Sequence, residues 1–279
     1  MSKNKFTKST VSSAVLLSLL STPLVAQQDD QQEAGLEVIQ VTAQKRSENI
    51  QEVPIAITAF SEGDIEKMGV SNINDLGLLT PGLETNNATA TQTSFNIRGI
   101  TTNDFGIGLD AAVAVYIDGV YVGRRGTSNM NFNDIERVEV LKGPQGTLFG
   151  RNSAAGAIHI ISKEATADNE SSVKFTLGSH DKKKVELSTN FMINENMNFR
   201  GGLVSNYRGG YLDEVGKKEK YGNQRDFSVR GALHWDLGSD VEAVLRADFS
   251  DTNQQSRPAV TLNTGFGSGD PFGPIERDY

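Results

Sequence analysis

The feature that most constrains the fold of this chain is a strict alternation of apolar and polar residues in its C-terminal part. In residues 241–249 the odd positions hold Val, Ala, Leu, Ala and Phe, whereas three of the four even positions are charged. Residues 227–237 repeat the scheme, and a Gly-Ser-Asp sequence separates the two segments. Because successive side chains of a strand point to opposite faces, this period of two predicts an antiparallel hairpin with one apolar and one polar face.

Three earlier segments, residues 173–177, 185–193 and 199–207, predict further strands, so that five strands lie within residues 166–279. A soluble sandwich would bury the apolar face of such strands, whereas a transmembrane β-barrel would turn it to lipid and keep the polar face in its lumen. The mean hydropathy of −0.37 fits both architectures, because only alternate residues of a barrel strand face lipid. Since five strands do not close a large barrel, the second alternative makes this region the beginning of a longer wall.

The N-terminal 26 residues predict a secretory signal peptide. Lys3, Lys5 and Lys8 precede a short apolar run over residues 11–20, and the small residue Ala26 precedes a polar tract. No later stretch approaches the roughly 20 apolar residues that a membrane helix needs. The chain has no cysteine, which excludes disulfides, thiolate metal sites and a lipidated cysteine. We therefore expect an exported protein.

Residues 51–165 predict a mixed α+β domain with short helices. Ser61 and Asp64 have the spacing of a capping box at a helix start, and Gly69 suits the end of that helix. Asp118-Gly119 lies between two strand-like stretches, which predicts a hairpin over residues 113–123. The other predicted elements are strands over residues 53–60, 93–100, 135–142 and 157–162, a helix over 73–79, and polar loops that include 84–92.

A search for catalytic, metal-binding and nucleic-acid-binding patterns finds none. The histidines His159, His180 and His234 lie far apart in the sequence, and His159 within an apolar strand is typical of a structural histidine. The metalloprotease, hydrolase and EF-hand motifs are missing. A net charge of −8 without a basic stripe argues against a nucleic-acid partner. We expect no enzyme activity, no cofactor and no resident metal.

The glycine-rich stretch over residues 143–157 does not match a phosphate-binding loop. Gly146 and Gly150 are followed by Arg-Asn where a Walker loop requires Lys-Ser or Lys-Thr, and GxGxxG is missing. Residues 143–146, Gly-Pro-Gln-Gly, suit a type I turn. Gly150 and Gly156 suit close approach of another surface. The glycines therefore predict backbone shape rather than a nucleotide site.

Four motifs in a fixed order resemble the TonB-dependent outer-membrane receptors. The sequence ERVEVLKGPQGTLFGRNSAAGAIHII (136–161) resembles the end of their plug domain, and FNIRG (95–99) and VAVYIDGVYVGR (113–124) resemble its other motifs. EVIQVTAQKR (37–46) stands where these proteins carry the TonB box. The resemblance implies a periplasmic tail with a TonB box over 27–50, a plug over 51–165 and, over 166–279, the first strands of an antiparallel transmembrane barrel of about 22 strands.

The same resemblance implies energy-coupled uptake of a scarce, bulky nutrient across the cell outer membrane. The commonest cargo of this family is a ferric siderophore, and the alternatives are cobalamin, haem or a glycan. The implied partners are outer-membrane lipid and TonB, working with ExbB and ExbD and reaching the box from the periplasm. Only residues 27–36 precede the box, which disfavours a separate signalling domain. A soluble exported protein and a passive porin-like barrel are the alternatives of a different class.

The resemblance also implies roles for individual residues. TonB would add a strand to the box through main-chain hydrogen bonds, which involves Glu37, Val38, Ile39, Gln40, Val41, Thr42 and Ala43. From the residues alone, this stretch also suits an ordinary edge strand. Residues predicted to shape the plug or to form its ion pairs are Arg98, Gly99, Arg137, Gly143, Pro144, Gly146, Gly150, Arg151 and Gly156. Loop residues predicted to face the ligand are Asn103, Asp104, Arg124, Arg125, Asn129 and Asn131.

Overall fold

A computed structural model describes residues 39–89, 92–102, 110–123, 132–213 and 220–255. The predicted signal peptide lies outside these residues. The helices are α1 (Glu62–Lys67), α2 (Leu76–Leu79) and α3 (Gly146–Phe149). The strands of the N-terminal part are β1 (Gln40–Val41), β2 (Glu48–Asn49), β3 (Ala56–Ser61), β4 (Leu83–Thr89), β5 (Gln92–Ile97), β6 (Ile100–Thr101), β7 (Val113–Ile117), β8 (Val120–Tyr121), β9 (Ile135–Lys142) and β10 (Gly156–Ser162). Those of the C-terminal part are β11 (Glu170–Gly178), β12 (Lys182–Asn194), β13 (Met197–Arg208), β14 (Leu212–Asp213), β15 (Lys220–Tyr221), β16 (Gln224–Gly238) and β17 (Val241–Gln254).

A five-stranded mixed sheet in the order β3-β9-β10-β7-β8 forms the centre of the N-terminal part. Strand β10 runs parallel to β7 and antiparallel to β9. Asp118 and Gly119 connect β7 to β8 with positive φ angles of 48° and 82°, as a type I′ hairpin turn requires. The predicted hairpin and the predicted strand over residues 135–142 are both present. This mixed sheet with short helices confirms the predicted fold class of the domain.

Apolar side chains cover both faces of this sheet. Val138, Val140 and Ile158 point into one core, which also contains apolar residues of α1, α2 and β5. Leu141 and Ala157 point to the opposite face, where apolar residues of the segment 39–59 cover them. A sheet buried on both faces needs nearly continuous apolar strands rather than alternation, which explains the VEVL and AIHII sequences.

The helices follow their sequence signals, but one predicted loop is a strand. Ser61 accepts a hydrogen bond from the backbone of Asp64, whose side chain accepts one from the backbone of Ser61, so the predicted capping box forms. Residues 84–92 were predicted to be a polar loop, whereas β4 occupies most of them and pairs with β5 from Leu83 to Thr89. The prediction was wrong because pairing with a neighbouring strand overrode weak strand propensities.

The predicted type I turn at residues 143–146 also does not form as such. Gly143 bends the chain, and its N–H donates to the carbonyl of Ala155, while the N–H of Gln145 donates to the carbonyl of Ser153. The chain then enters the single turn of α3. The carbonyl groups of Ser153 and Ala155 on the returning segment accept these hydrogen bonds. The reversal between β9 and β10 therefore extends over residues 143–155.

The C-terminal part contains a five-stranded antiparallel sheet in the order β11-β12-β13-β16-β17, which we call the wall. Each predicted strand is present and longer than predicted, and the small hairpin β14-β15 lies between β13 and β16. On one face of the wall apolar side chains are exposed, including Phe175 at 72% and Leu245 at 69%. On the other face polar side chains are buried, including Asn190 and Asp226, each 1% exposed.

This distribution separates the two architectures that alternation alone left open. A soluble sandwich would bury the apolar face of the wall, whereas here that face is exposed and the polar face packs against the N-terminal domain. The arrangement is that of a barrel wall around a plug. None of the helices in the described ranges is long and apolar enough to cross a membrane.

Candidate functional site

The described part of the predicted TonB box lies against the N-terminal domain. Strand β1 pairs with β2 through Gln40↔Asn49 and Val41↔Glu48. Val41 and Ala43 are fully buried in the core on the second face of the central sheet. Glu37 and Val38 lie outside the described residues. In this conformation the segment forms a short hairpin that covers the sheet.

A single buried carboxylate holds the segment at Thr42. Oε1 of Glu139 accepts hydrogen bonds from the backbone N–H of Thr42 at 2.8 Å and from its hydroxyl at 3.1 Å. The same oxygen accepts from Nε of Arg137 at 2.9 Å. Because Glu139 has no exposed surface, its charge is tolerable only with such donors. Thr42 and Arg137 therefore depend on this one side chain.

His159 lies on the other side of Glu139. Its Nδ1 is 4.0 Å from Oε2 of Glu139, and its Nε2 accepts a hydrogen bond from the N–H of Gly119 at 3.1 Å. An accepting Nε2 requires the neutral ring with its proton on Nδ1, facing the carboxylate. Burial lowers the pKa of His159, although Glu139 and Asp118 oppose this effect. The ring therefore carries no charge near neutral pH, as a structural histidine would.

Asp118 extends this polar arrangement to the wall. Its carboxylate accepts hydrogen bonds from the N–H and the hydroxyl of Ser162, each at 2.8 Å. It also lies 3.6 Å from Arg230 on β16 and 3.7 Å from Arg246 on β17. Polar groups thus follow one another from the predicted box to the wall, with a 4.0 Å separation between Glu139 and His159. We call this series the coupling path: Thr42, Glu139, His159, Gly119, Asp118, Arg230 and Arg246.

A second ion-pair cluster joins the domain to the wall near the start of β9. Arg200 on β13 binds both oxygens of Asp134, at 2.5 and 2.7 Å, and also Glu170 on β11 at 2.9 Å. Arg200 and Asp134 have side chains only 5% and 4% exposed. A bidentate, buried pair of this kind fixes relative position as well as contributing energy. It lies apart from the coupling path.

Arg98, Arg137 and Arg151 were predicted to form ion pairs, and the structure places them in three different environments. Arg137 pairs with Glu136 and Glu139 inside the domain. Arg151 pairs with Asp110 at 2.8 Å on the surface. Arg98 is exposed with a φ of 55°, lies near Gly143, and within the described ranges forms no ion pair. None of the three contacts the wall through an ion pair among the described residues.

The glycines and the proline predicted to shape the plug lie at turns, at a close approach of two strands or at the ends of a helix. Gly99 follows Arg98 in the tight turn between β5 and β6, with a φ of 83°. At Gly156 a Cβ atom would lie 2.3 Å from the carbonyl oxygen of Leu141, so only glycine fits there without displacement. The others lie at or next to α3: Gly143, Pro144, Gly146 and Gly150.

The residues predicted to face the ligand all lie outside the described residues, namely Asn103, Asp104, Arg124, Arg125, Asn129 and Asn131. The sequence reasoning missed three charged residues that the structure buries: Glu139, and the ion pair of Asp134 with Arg200. One signal was available, because Glu139 interrupts the apolar run VEVL of a strand that is buried on both faces. Within the described residues, no three His, Asp or Glu side chains are grouped to hold a metal ion.

Comparison with known proteins identifies related sequences and structures. Residues 49–157 match the family model of the TonB-dependent Receptor Plug Domain. The chain is 31% identical over 206 residues to the ferripyoverdine receptor of Pseudomonas aeruginosa, across 72% of this chain and 24% of the relative. It is 28% identical over 210 residues to the vitamin B12 transporter BtuB of Vibrio vulnificus, across 73% of this chain and 32% of the relative. The chain therefore spans a third or less of the length of these two relatives.

A solved structure shares the fold. The crystal structure of the Pseudomonas aeruginosa outer-membrane ferripyoverdine receptor bound to ferripyoverdine matches with a TM-score of 0.65 at 22% identity. The match covers 77% of this chain and 27% of that chain. It extends beyond residues 49–157 and therefore includes part of the wall as well as the N-terminal domain.

Proposed function

We propose that this chain, whose residues 49–157 match the plug-domain model of TonB-dependent receptors, is a member of that family and acts in energy-coupled uptake of a bulky nutrient across the outer membrane. The single observation that carries this proposal is the attachment of the predicted TonB box to the plug by Thr42 and Glu139. This attachment would keep the box on the domain until TonB displaces it.

Capture by TonB requires the box to leave its present position. The N–H of Thr42 now donates to Glu139, and β1 already pairs with β2. An added strand needs free main-chain groups, so the segment has to detach before TonB can pair with it. The energy for this step would come from TonB working with ExbB and ExbD. Pulling on the detached segment would then act along the chain on β3, the strand that pairs with β9.

A ferric siderophore is the cargo that we propose first. The relative with 31% identity is named as a ferripyoverdine receptor, and other relatives are named as siderophore receptors. Cobalamin is the second candidate, because the BtuB relative is named as a vitamin B12 transporter. Haem and glycans remain weaker alternatives. These relatives bear the names of receptors or transporters, which supports binding and transport rather than enzyme catalysis.

We propose that the wall crosses the outer membrane with its apolar face in lipid. Phe175, Leu177 and Phe249, exposed by 62% or more, lie on that face, and burying such side chains stabilises each by roughly 1.5–3 kcal/mol. The turns at 195–196 and 239–240 are short, and the connection between β13 and β16 at the opposite end is longer. Short turns lie on the periplasmic side of such barrels, so the proposed orientation turns residues 195–196 and 239–240 toward the periplasm.

The test compares Val41→Pro with Val41→Ala in the protein as the cell makes it. Proline removes the main-chain donor of Val41, whereas alanine removes buried apolar surface and keeps the donor. Uptake of ferric pyoverdine, other ferric siderophores and cobalamin is measured in TonB-positive cells. We expect the alanine variant to retain uptake and the proline variant to lose it. Equal uptake by both variants would contradict the box assignment.

A parallel measurement separates transport from passive diffusion. Cargo binding to the cell surface and cargo uptake are recorded with and without functional TonB. Binding that persists while uptake stops is expected for a TonB-dependent receptor. Uptake that continues without TonB would instead support the porin-like alternative, and recovery of the protein in the soluble periplasmic fraction would contradict the membrane assignment.

A further inference from the structure

The exposed apolar face of the wall, which we call the outer face, carries charged side chains at three described positions. Because successive residues of a strand alternate between faces, Lys183, Arg225 and Asp251 share this face with Phe175 and Leu245. The other residues of this face in the five strands are apolar, small or uncharged. Two cations on a surface that is proposed to lie in lipid need an anionic partner, because an unpaired charge in hydrocarbon is costly.

The strand register brings the two cations to the same level of the outer face. Tyr207 on β13 lies opposite Lys183 on β12 and opposite Arg225 on β16. The Cα atoms of Lys183 and Arg225 are therefore separated by two strand spacings, or about 10 Å. Both side chains are long, so that their charged groups can converge on one anion that lies between them. We call these three residues the basic row.

No acid neutralises the basic row in the described part of the wall. Lys183 and Arg225 are both exposed, and neither forms an ion pair with a described residue. Asp251 lies one row nearer the middle of the outer face and also pairs with neither cation. Asp226 follows Arg225 in the sequence but points to the other face, where the amide of Asn206 donates to it at 3.0 Å. The donors of the basic row are therefore available to a ligand.

The basic row lies at the end of the wall opposite the turns at 195–196 and 239–240, which we call the loop end. Near those turns Trp235 lies on the outer face, opposite Met197 on β13. From Met197 to Tyr207 a strand tilted by about 40° rises about 25 Å across a membrane, which matches the apolar band of such barrels. Trp235 and Tyr207 therefore lie at the two interfaces, where aromatic residues concentrate. The basic row is thus at the level of lipid headgroups.

Next to the basic row the outer face offers an apolar surface to lipid chains. Ser205 follows Tyr207 on this face toward the middle of the wall, and Val185 and Phe227 flank it. Because serine is smaller than its two neighbours, the surface is lower along β13, and Leu203 continues this strip. A molecule with an anionic head and apolar chains would contact the basic row and the apolar strip at the same time.

We propose that Lys183, Tyr207 and Arg225 bind the phosphate group of a phosphorylated membrane lipid in the leaflet at the loop end. The ammonium and guanidinium groups would form charge-assisted hydrogen bonds with the phosphate oxygens, and the hydroxyl of Tyr207 would donate another. The proposal rests on the proposed membrane crossing of the wall. It goes beyond the uptake function, because it concerns the lipid around the protein rather than the cargo.

The site is tested on the full-length protein, purified in a nonionic detergent and titrated with lipid A that carries two phosphates. Native mass spectrometry measures the bound lipid. Lys183→Gln is compared with Lys182→Gln, because the two lysines adjoin and point to opposite faces. We expect the affinity to fall about fivefold in Lys183→Gln and to stay within about twofold in Lys182→Gln, since a basic residue near an anionic lipid surface contributes a factor of this size.

A double variant and two further ligands define the chemistry of the site. Lys183→Gln/Arg225→Gln should lower the affinity for lipid A about twentyfold or more. Lipid A without its phosphates should bind equally weakly to the unaltered protein and to the double variant. Excess inorganic phosphate should leave the phosphorylated lipid bound, because the free anion lacks apolar chains and their contribution to binding.

Three outcomes would overturn the proposal. They are equal affinities of Lys183→Gln and Lys182→Gln for lipid A, equal binding of lipid A with and without its phosphates, and displacement of the lipid by inorganic phosphate. Any of them in a protein that still reaches the membrane and takes up cargo would contradict the lipid site alone. Recovery of the unaltered protein outside the membrane would instead contradict the membrane crossing on which the site depends.

Discussion

At the scale of single residues, Glu139 has the largest influence on the candidate site. One buried carboxylate satisfies the backbone of Thr42, the side chain of Arg137 and the electrostatic environment of His159. Its position on β9 also explains why an acid occurs in an otherwise apolar sequence. A buried charge with three dedicated donors is costly to leave incomplete, so any change at Glu139 is expected to affect the predicted box as well as the plug.

Glu139→Ala is predicted to release the predicted box from the plug. Removal of the carboxylate leaves Arg137 and the N–H of Thr42 without their buried acceptor, a loss of about 3 kcal/mol or more. Tryptic cleavage after the exposed Lys45 should therefore accelerate, because cleavage follows local opening. Glu136→Ala, which removes a half-exposed partner of Arg137, is the matched control and should change the rate little. Equal rates for the two variants would contradict this role of Glu139.

His159 is predicted to make its contact with the β7-β8 hairpin dependent on pH. Burial holds the pKa of His159 below its ordinary value of 6.5, so the folded state binds fewer protons than the opened state. The contribution of neutral His159 to the stability of the folded state is therefore complete above pH 6.5 and declines as the pH falls below that value. The charged groups that influence the ring are Glu139, Asp118, Arg137 and Lys45.

The measurement is amide hydrogen exchange at Gly119, whose N–H donates to His159. After correction for the intrinsic pH dependence of exchange, protection should fall as the pH is lowered from about 7.5 to about 5.5. His159→Gln keeps an acceptor for Gly119 and does not titrate, so its protection should stay nearly constant. The same pH dependence in both proteins would exclude His159 as the cause.

At the scale of secondary-structure elements, the close approach of β10 to β9 and β5 determines the packing of the plug. The backbone of Gly156 lies where a Cβ would meet the Leu141 carbonyl at 2.3 Å and Cδ1 of Ile97 at 2.8 Å. Protein interiors are close-packed, so an added methyl group at this position would displace neighbouring atoms. The glycine therefore permits the parallel pairing with β7 and the antiparallel pairing with β9 at the same time.

Gly156→Ala is accordingly predicted to destabilise the plug by about 1–3 kcal/mol or more. The matched control is Gly146→Ala at the start of α3, where no atom lies within 4 Å of the added Cβ. A lower urea concentration at the unfolding midpoint of the plug is expected for the first variant only. If both midpoints equal that of the unaltered protein, the close approach has no energetic consequence.

At the scale of the whole molecule, two largely buried ion-pair clusters join the plug to the wall among the described residues. Asp118 faces Arg230 and Arg246 at one position, and Asp134 binds Arg200 at the other. Each joins an acid of the plug to an arginine of the wall. The wall exposes its apolar face and buries its polar face against the N-terminal domain, which supports the proposed lipid environment outside.

Asp118→Asn is predicted to loosen the plug within the wall. The amide keeps one acceptor for Ser162 but removes the charge that faces Arg230 and Arg246. Because Arg230 keeps its pair with Asp248, the expected loss is about 1–3 kcal/mol. Asp110→Asn, at the exposed pair with Arg151, is the control and should have almost no effect. Protease digestion of the plug in membranes at increasing urea concentrations measures the difference. Identical digestion of the two variants would contradict this role of Asp118.

Several features could be derived from the sequence because their causes are local. The hairpin at Asp118-Gly119 follows from the two positive φ angles that such a turn demands, and the capping box follows from the spacing of Ser61 and Asp64. The strands of the wall follow from an alternation that extends over each strand. In contrast, β4 and the reversal at residues 143–155 depend on partners distant in sequence, so local propensity gave the wrong prediction for both.

By itself the sequence determined the period of the strands, the positions of the turns and the motifs that mark the plug. It did not determine which face of the wall is covered, because a sandwich and a barrel wall share the same alternation. The tertiary structure decided that question by burying Asn190 and Arg230 against the plug and leaving Phe175 exposed. It also brought Thr42, Glu139 and His159 together. The contact between Thr42 and Glu139 joins residues 97 positions apart. Its energy depends on burial, which arises only when the chain folds.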